Sequence, residues 1–282
     1  MDNRPIGVFD SGLGGLTAVR EILHIMPNED VVYFGDTGRV PYGTRSRDTI
    51  LRYAAQDIAF LLSKQVKLII AACGTVSSVA GELGDSLPVP FTGVLQPTAL
   101  AASLATRNGR IGVIGTTATI RSGSYRRAIH AINPDHQVFE QDCPMFVPLV
   151  ENDFFHPDHP VPRLVAERYL EGLRQAGVDT LIMGCTHYPL LRETIQQVMG
   201  PQVVLIDSGQ ETASYAMDLL RKQDALCGDD HTGSCSFYVS DSTEGFSKAA
   251  SLFLSRDVTE NVEYIDIVGF AEKCARQTES EA

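Results

Sequence analysis

No tryptophan occurs in the 282 residues, and positive charge is scarce: 23 lysines and arginines stand against 35 aspartates and glutamates, a net charge of −12. With no basic stripe along the chain, that balance argues against a surface built for nucleic-acid phosphates. An acidic small molecule stays possible, because a local field can oppose the global one. No apolar run is long enough to span a bilayer, so no membrane partner is expected. Met1-Asp2-Asn3-Arg4-Pro5 does not read as a signal peptide. The six cysteines (Cys73, Cys143, Cys185, Cys227, Cys235 and Cys274) form no C-x-x-C pair. Free thiols in a reducing cytoplasm suit that spacing better than a disulfide framework. His156 and His159 lack partner ligands at metal-binding spacing, so no metal is expected. The turn Asp10-Ser11-Gly12-Leu13-Gly14-Gly15 has neither G-x-G-x-x-G order nor a Gly-Lys-Ser/Thr, and resembles a nucleotide-binding loop only loosely.

What is present is an ordinary globular balance, 44% hydrophobic and 21% charged, ample for a core without staples. Short apolar runs alternate with segments of helical periodicity, which predicts two α/β lobes with mostly parallel sheets. The stretch Leu181-Ile182-Met183-Gly184-Cys185-Thr186-His187-Tyr188-Pro189 ends a buried strand in a cysteine, a hydroxyl and an imidazole. Helical spacing from Leu190 to Met199 places Cys185 between the carboxyl end of a strand and a helix start. Ligands bind there in open α/β sheets, and a helix N-terminus favours a thiolate. Leu68 to Thr75 repeats the plan around Cys73, with one helix expected from near Thr75 to near Leu83. Ile6-Gly7-Val8 and Ile111-Gly112-Val113 precede the two cysteine strands in the same way. We read this as a degenerate internal duplication. It yields two pseudo-symmetric lobes, with the two cysteines facing each other and the active site in the cleft between them.

Other segments fill in the site. Asp10 and Ser11 point from the first glycine-rich turn. Pro41-Tyr42-Gly43 follows a strand end and can wall a pocket with a ring and backbone N–H groups. Thr116 and Thr119 open a helix whose capped start suits a carboxylate. Pro144 to Asp153 brings Glu151 after an apolar run. Phe154 to Pro162 reads as an exposed loop, Asp224 to Ser234 as a mobile surface loop, and the tail from Glu272 as frayed.

A cysteine hydrolase needs one thiol and one histidine, which leaves Cys73 without a purpose. The chemistry that uses both cysteines is proton transfer at a carbon stereocentre. One sulfur removes the α-proton, and the other delivers a proton to the opposite face. His187 can serve Cys185 as proton partner, and Asp10 can serve Cys73.

At these residues the chain resembles the glutamate racemase family. The matching motifs are Asp10-Ser11-Gly12 with Gly14-Gly15, Gly35-Asp36-Thr37, Pro41-Tyr42-Gly43, Ala72-Cys73 with Thr75, Gly115-Thr116 with Thr119-Ile120, Phe146-Val147-Pro148 with Glu151, and Gly184 to Pro189. The resemblance implies a cofactor-independent interconversion of L- and D-glutamate for peptidoglycan synthesis, in a cytoplasmic homodimer. It implies Cys73 and Cys185 as acid/base groups, Asp10 and His187 as helpers, and Glu151 near His187. Ser11, Pro41, Tyr42, Gly43, Gly74, Thr75, Thr116, Thr119 and Thr186 would hold the substrate, with Asp10 and His187. It also implies one lobe inserted into the other: residues 1–97 plus 208–282 form the first, and 98–207 the second. The family usually has Cys-Asn-Thr where this chain has Cys73-Gly74-Thr75. Losing the amide side chain would cost substrate binding about 1–3 kcal/mol. A racemase for another amino acid, such as aspartate, or a binding homologue with weak turnover, would keep the same fold.

Overall fold

The computed structural model describes residues 1–40, 42–79, 81–84, 86–254, 257–258 and 261–281. The chain divides into two compact units. Unit 1 is Met1–Gly93 with Ala213–Ala282, and unit 2 is Val94–Thr212.

In unit 1, β1 (Ile6–Asp10), β2 (Val31–Gly35) and β3 (Leu68–Ala71) are buried from end to end. Near-continuous apolar runs are what parallel strands covered on both faces require. β2 and β3 flank β1, both parallel to it. β4 (Phe91–Gly93) lies beyond β3. In unit 2, β5 (Arg110–Gly115) is flanked by β6 (Gln137–Asp142) and β7 (Thr180–Met183), with β8 (Val204–Asp207) beyond β7. β9 (Cys235–Val239) and β10 (Val262–Tyr264) return to unit 1 and extend its sheet past β2. The sheet orders are β10-β9-β2-β1-β3-β4 and β6-β5-β7-β8, every pair parallel.

The order β2-β1-β3-β4 thus recurs as β6-β5-β7-β8. Even the register repeats. Ile6 pairs with Leu68, and Ile111 with Thr180, each partner five residues before its cysteine.

Helices carry the crossovers. In unit 1 these are α1 (Leu16–Ile25), α2 (Arg47–Ser63), and the short α3 (Gly74–Ser77) and α4 (Gly81–Gly84). Unit 2 holds α5 (Leu95–Ala105), α6 (Thr117–Ser122), α7 (Ser124–Ile132), α8 (Phe146–Glu151), α9 (Pro160–Gln175) and α10 (Arg192–Met199). The chain re-enters unit 1 within α11 (Ser208–Lys222), followed by α12 (Thr243–Leu254) and α13 (Ile267–Glu281). Phe60 of α2 is an aromatic hub, its ring 5.2 Å from Phe34 and Tyr238 and 5.5 Å from Phe270.

Three expectations are corrected. The single helix after Cys73 is broken into α3 and α4. Ser77 and Ser78 turn their hydroxyls back onto Ala71 O and Gly74 O, and Gly81 and Gly84 are poor helix formers. The tail is helical to Glu281, because Phe270 anchors α13 on Phe60. The 224–234 loop is pinned: Lys67 donates to Ala225 O, Glu29 accepts from Cys227 N, and Asp30 accepts from Ser234 and contacts His231. Among the described residues, no helix is long and apolar enough to cross a membrane.

Candidate active site

Unit 1 presents Cys73 two residues past the end of β3, where it caps α3. Beside it is the turn that leaves β1. Asp10, 3% exposed, accepts from Gly12 N at 2.9 Å, and Tyr33 donates to Gly12 O at 2.8 Å. Gly15 must be glycine, since a Cβ there would lie 2.6 Å from the Asp10 Cβ and 3.0 Å from that of Ala72. The turn is therefore packed against the strand ends, which brings Ser11 Oγ to 3.5 Å from Cys73 Sγ. Burial pushes the Cys73 thiol up to about 11, helped by the Asp10 charge and opposed by Ser11 and the N–H groups of Val76 and Thr75. Four residues of helix do not offset a dry site beside a carboxylate.

Gly74 and Thr75 form the half-buried start of α3. Gly43 sits in a 3-10 turn, Tyr42–Thr44. Tyr42 is fully buried, and its hydroxyl is engaged by Asp36 and Asp57 rather than turned outward. Pro41 lies outside the described residues.

Unit 2 presents Cys185 two residues past the end of β7. Gly184 lets it sit there, because a Cβ would meet Ile114 O at 2.8 Å and the Tyr125 ring at 2.9 Å. The helix expected at once after the motif starts only at Arg192, and a 3-10 turn over Tyr188–Leu191 comes first. What Cys185 has beside it is an imidazole: His187 Nδ1 is 3.9 Å from its sulfur, and His187 Nε2 is 3.0 Å from Glu151 Oε1. Burial alone would lower the His187 pKa. The hydrogen bonds and charges of Cys185 and Glu151 outweigh it and raise it to about 10.

Glu151 ends α8, and Tyr188 holds that helix in place. Its ring meets Phe146 edge-on at 5.2 Å, and its hydroxyl donates to Cys143 O at 3.0 Å. Thr116 caps α6, accepting from Thr119 N, and the two hydroxyls are 3.0 Å apart. Thr119, Thr186 and His187 are buried.

The sequence reading missed Tyr33, Tyr188 as a brace, and the buried pair Asp36 and Asp57. Asp57 did leave a signal: it falls on the apolar face of α2 with Ile50, Ala54, Ile58 and Leu61. Among the described residues, no grouping of His, Cys, Asp and Glu is arranged to hold a metal ion.

Each unit thus presents a buried cysteine at the matching position of a repeated half-sheet, Cys73 with Ser11 beside it and Cys185 with His187. The Asp/Glu/Hydantoin racemase family matches this chain over residues 14–216. Glutamate racemase from Geobacter metallireducens is 47% identical over 252 residues, covering 89% of this chain and 93% of that protein. A glutamate racemase isoform from Bacillus anthracis superposes with a TM-score of 0.88 at 34% identity, over 94% of this chain and 98% of that one. The Francisella tularensis glutamate racemase, solved with D-glutamate, gives 0.86 at 38% identity, over 95% and 99%. The chain belongs to the Asp/Glu/Hydantoin racemase family, and it is an isomerase, an amino-acid racemase independent of pyridoxal phosphate.

Proposed function

We propose that the chain interconverts L- and D-glutamate without a cofactor, with Cys73 and Cys185 as the two acid/base groups on opposite faces of the α-carbon. The observation that carries the reading is the Cys185–His187–Glu151 relay, matched at the equivalent register by Cys73 with Ser11 and Asp10. The α C–H bond breaks as its proton passes to a thiolate, and the electron pair is left on the planar carbanion. A new C–H bond forms on the other face as the second sulfur gives up its proton. In the resting protein the buried Cys73 holds its proton, which prepares it as the acid. Cys185 lies beside a proton-holding His187 and takes the part of base; the reverse reaction exchanges the roles.

Ser11, Gly43, Gly74, Thr75, Thr116, Thr119 and Thr186 supply the donors for the substrate's carboxylates and amine. The glutamate assignment is supported by relatives of that name at 40–47% identity. Supply of D-glutamate to peptidoglycan synthesis, a homodimer and a cytoplasmic location belong to the same proposal. Six free thiols suit a reducing compartment.

The test uses single-enantiomer glutamate in deuterium oxide. Racemisation with deuterium at the α-carbon is expected. Cys73→Ser and Cys185→Ser should each lose most of it, and near-full activity in either one defeats the two-base assignment.

A further inference from the structure

Several polar side chains of unit 1 meet out of water at a place the proposed reaction does not use. Asp36 follows β2 and Asp57 lies midway along α2; both have no exposed surface. The Tyr42 hydroxyl donates to Asp36 Oδ2 and lies 3.0 Å from Asp57 Oδ2. Arg39 bridges the same carboxyls, Nε to Asp36 at 2.6 Å and Nη2 to Asp57 at 2.9 Å, and Nη1 reaches Gln56. Its guanidinium sits 4.1 Å from the centre of the Tyr53 ring. Ser240 Oγ donates to Asp36 at 2.7 Å and accepts from Gly38 N at 2.9 Å.

Proton counting says how this cluster closes. Tyr42 has one O–H, spent on Asp36, which also accepts from Arg39 and Ser240 as an ionised carboxylate does. Asp57 Oδ2 faces the same phenol oxygen. Ionised, it would set lone pair against lone pair; protonated, it donates. Burial and the neighbouring Asp36 charge hold the Asp57 carboxyl well above the usual range, which agrees. The cluster is then one cation, one anion and one trapped proton.

It holds the Tyr42–Thr44 turn, which packs on α3, the helix that Cys73 caps. Tyr42, Cys73 and Val76 share one apolar cluster. We propose that Arg39 and Asp57 are positioning residues for the racemase reaction: through the Tyr42 hydroxyl they fix the Tyr42–Gly43 turn against α3, and so set the seat of Cys73. The turn's contact with substrate rests on the proposed glutamate reaction; the seating of Cys73 does not.

Asparagine at 57 offers Tyr42 the N–H that the protonated acid offers as O–H. Asp57→Asn should therefore keep kcat/KM within about twofold of wild type, whereas Asp57→Ala and Arg39→Lys should each lose at least about tenfold. Iodoacetamide alkylation of Cys73, followed by peptide mass analysis, needs no substrate. Asp57→Ala should speed it about tenfold, and Asp57→Asn should not. Should the alanine variant not fold, Arg39→Lys carries the same expectation. Equal damage in the asparagine and alanine variants overturns the trapped proton. Wild-type turnover and alkylation in Asp57→Ala and Arg39→Lys overturn the positioning role. A wild-type protein that leaves glutamate untouched refutes the substrate reading, and the alkylation comparison still decides the seating.

Discussion

Replacing Lys67 with methionine removes a cation from a place that is almost dry. Lys67 Nζ lies 2.6 Å from Glu29 Oε2, the two side chains being 1% and 2% exposed. The same nitrogen donates to Asp2 O at 2.6 Å and to Ala225 O at 2.8 Å, so all three of its donors are used. Methionine keeps most of the stem's volume but takes the ammonium from Ala225 O and from a buried carboxylate, and leaves Asp2 O with the Cys227 thiol at 3.5 Å. Cys227 N, at 2.8 Å, still donates to Glu29, with the Cys227 thiol at 3.4 Å. Breaking a buried pair from one side costs about 3–5 kcal/mol, because the remaining charge is uncompensated. For a chain of this size that lowers Tm by about 6–20 °C. Thermal unfolding followed by circular dichroism measures it, alongside Glu29→Leu and the double variant Lys67→Met/Glu29→Leu. The double should recover most of the loss, since neither charge is then left alone. Amide exchange should rise between Ala225 and His231, whose anchor is gone. The reasoning fails if Lys67→Met costs less than about 1 kcal/mol, the worth of a surface pair. It also fails if the double is no more stable than the weaker single.

Gly184→Ala forces a Cβ to within 2.8 Å of Ile114 O and 2.9 Å of the Tyr125 ring, one residue before Cys185. It should cost about 1–3 kcal/mol in stability but about 100-fold in racemisation, and a wild-type rate refutes the claim that Gly184 seats the sulfur. Gly74→Asn should tighten glutamate binding by about 1–3 kcal/mol if an amide is what residue 74 lacks; kcat/KM equal to wild type removes that argument. The raised His187 contributes stability that is complete below its ordinary 6.5 and is lost as pH rises through about 10. Cys73, raised from 9.0 to about 11, acts in the same direction above pH 9. The urea midpoint should fall from pH 6.5 to 10, less steeply in His187→Asn, and a flat wild-type profile contradicts the assignment.

The strands were legible because parallel strands covered on both faces leave continuous apolar runs, as in Ile6–Asp10 and Leu68–Ala71. The duplication was legible because glycine and cysteine punctuate both halves. In the sheet the place that Leu68 takes in β3 is taken in β7 by Thr180, one residue before the apolar run at Leu181. What sequence period does not encode is long-range polar pairing. Glu29 and Lys67 are 38 positions apart, and both look like surface residues until the fold buries them together; with them the 224–234 loop changes from free to fastened. Tyr42 misled for the same reason. A Pro-Tyr-Gly turn suggests a ring facing a pocket, and only the burial of Asp36 and Asp57 turns its hydroxyl inward.

Equal backbone geometry does not make the two cysteines equal. Both lie two residues past a strand end, at one register relative to the neighbouring IGV strand. Their surroundings diverge in the next few atoms. Cys73 has a carboxylate, a hydroxyl and four residues of helix near it, which leave the thiol protonated. Cys185 has an imidazole that keeps its proton through neutral pH, tied on its far side to Glu151. The proposed two-cysteine reaction needs one acid and one base in the resting state, and two identical thiols would have to break that tie for themselves. In that proposal the tie is broken by what the loops after β1 and β7 add to a repeated scaffold. Substituting Glu151 should therefore lower kcat more for the enantiomer whose proton Cys185 removes, with the two kcat/KM values falling together because the equilibrium constant of one ties them.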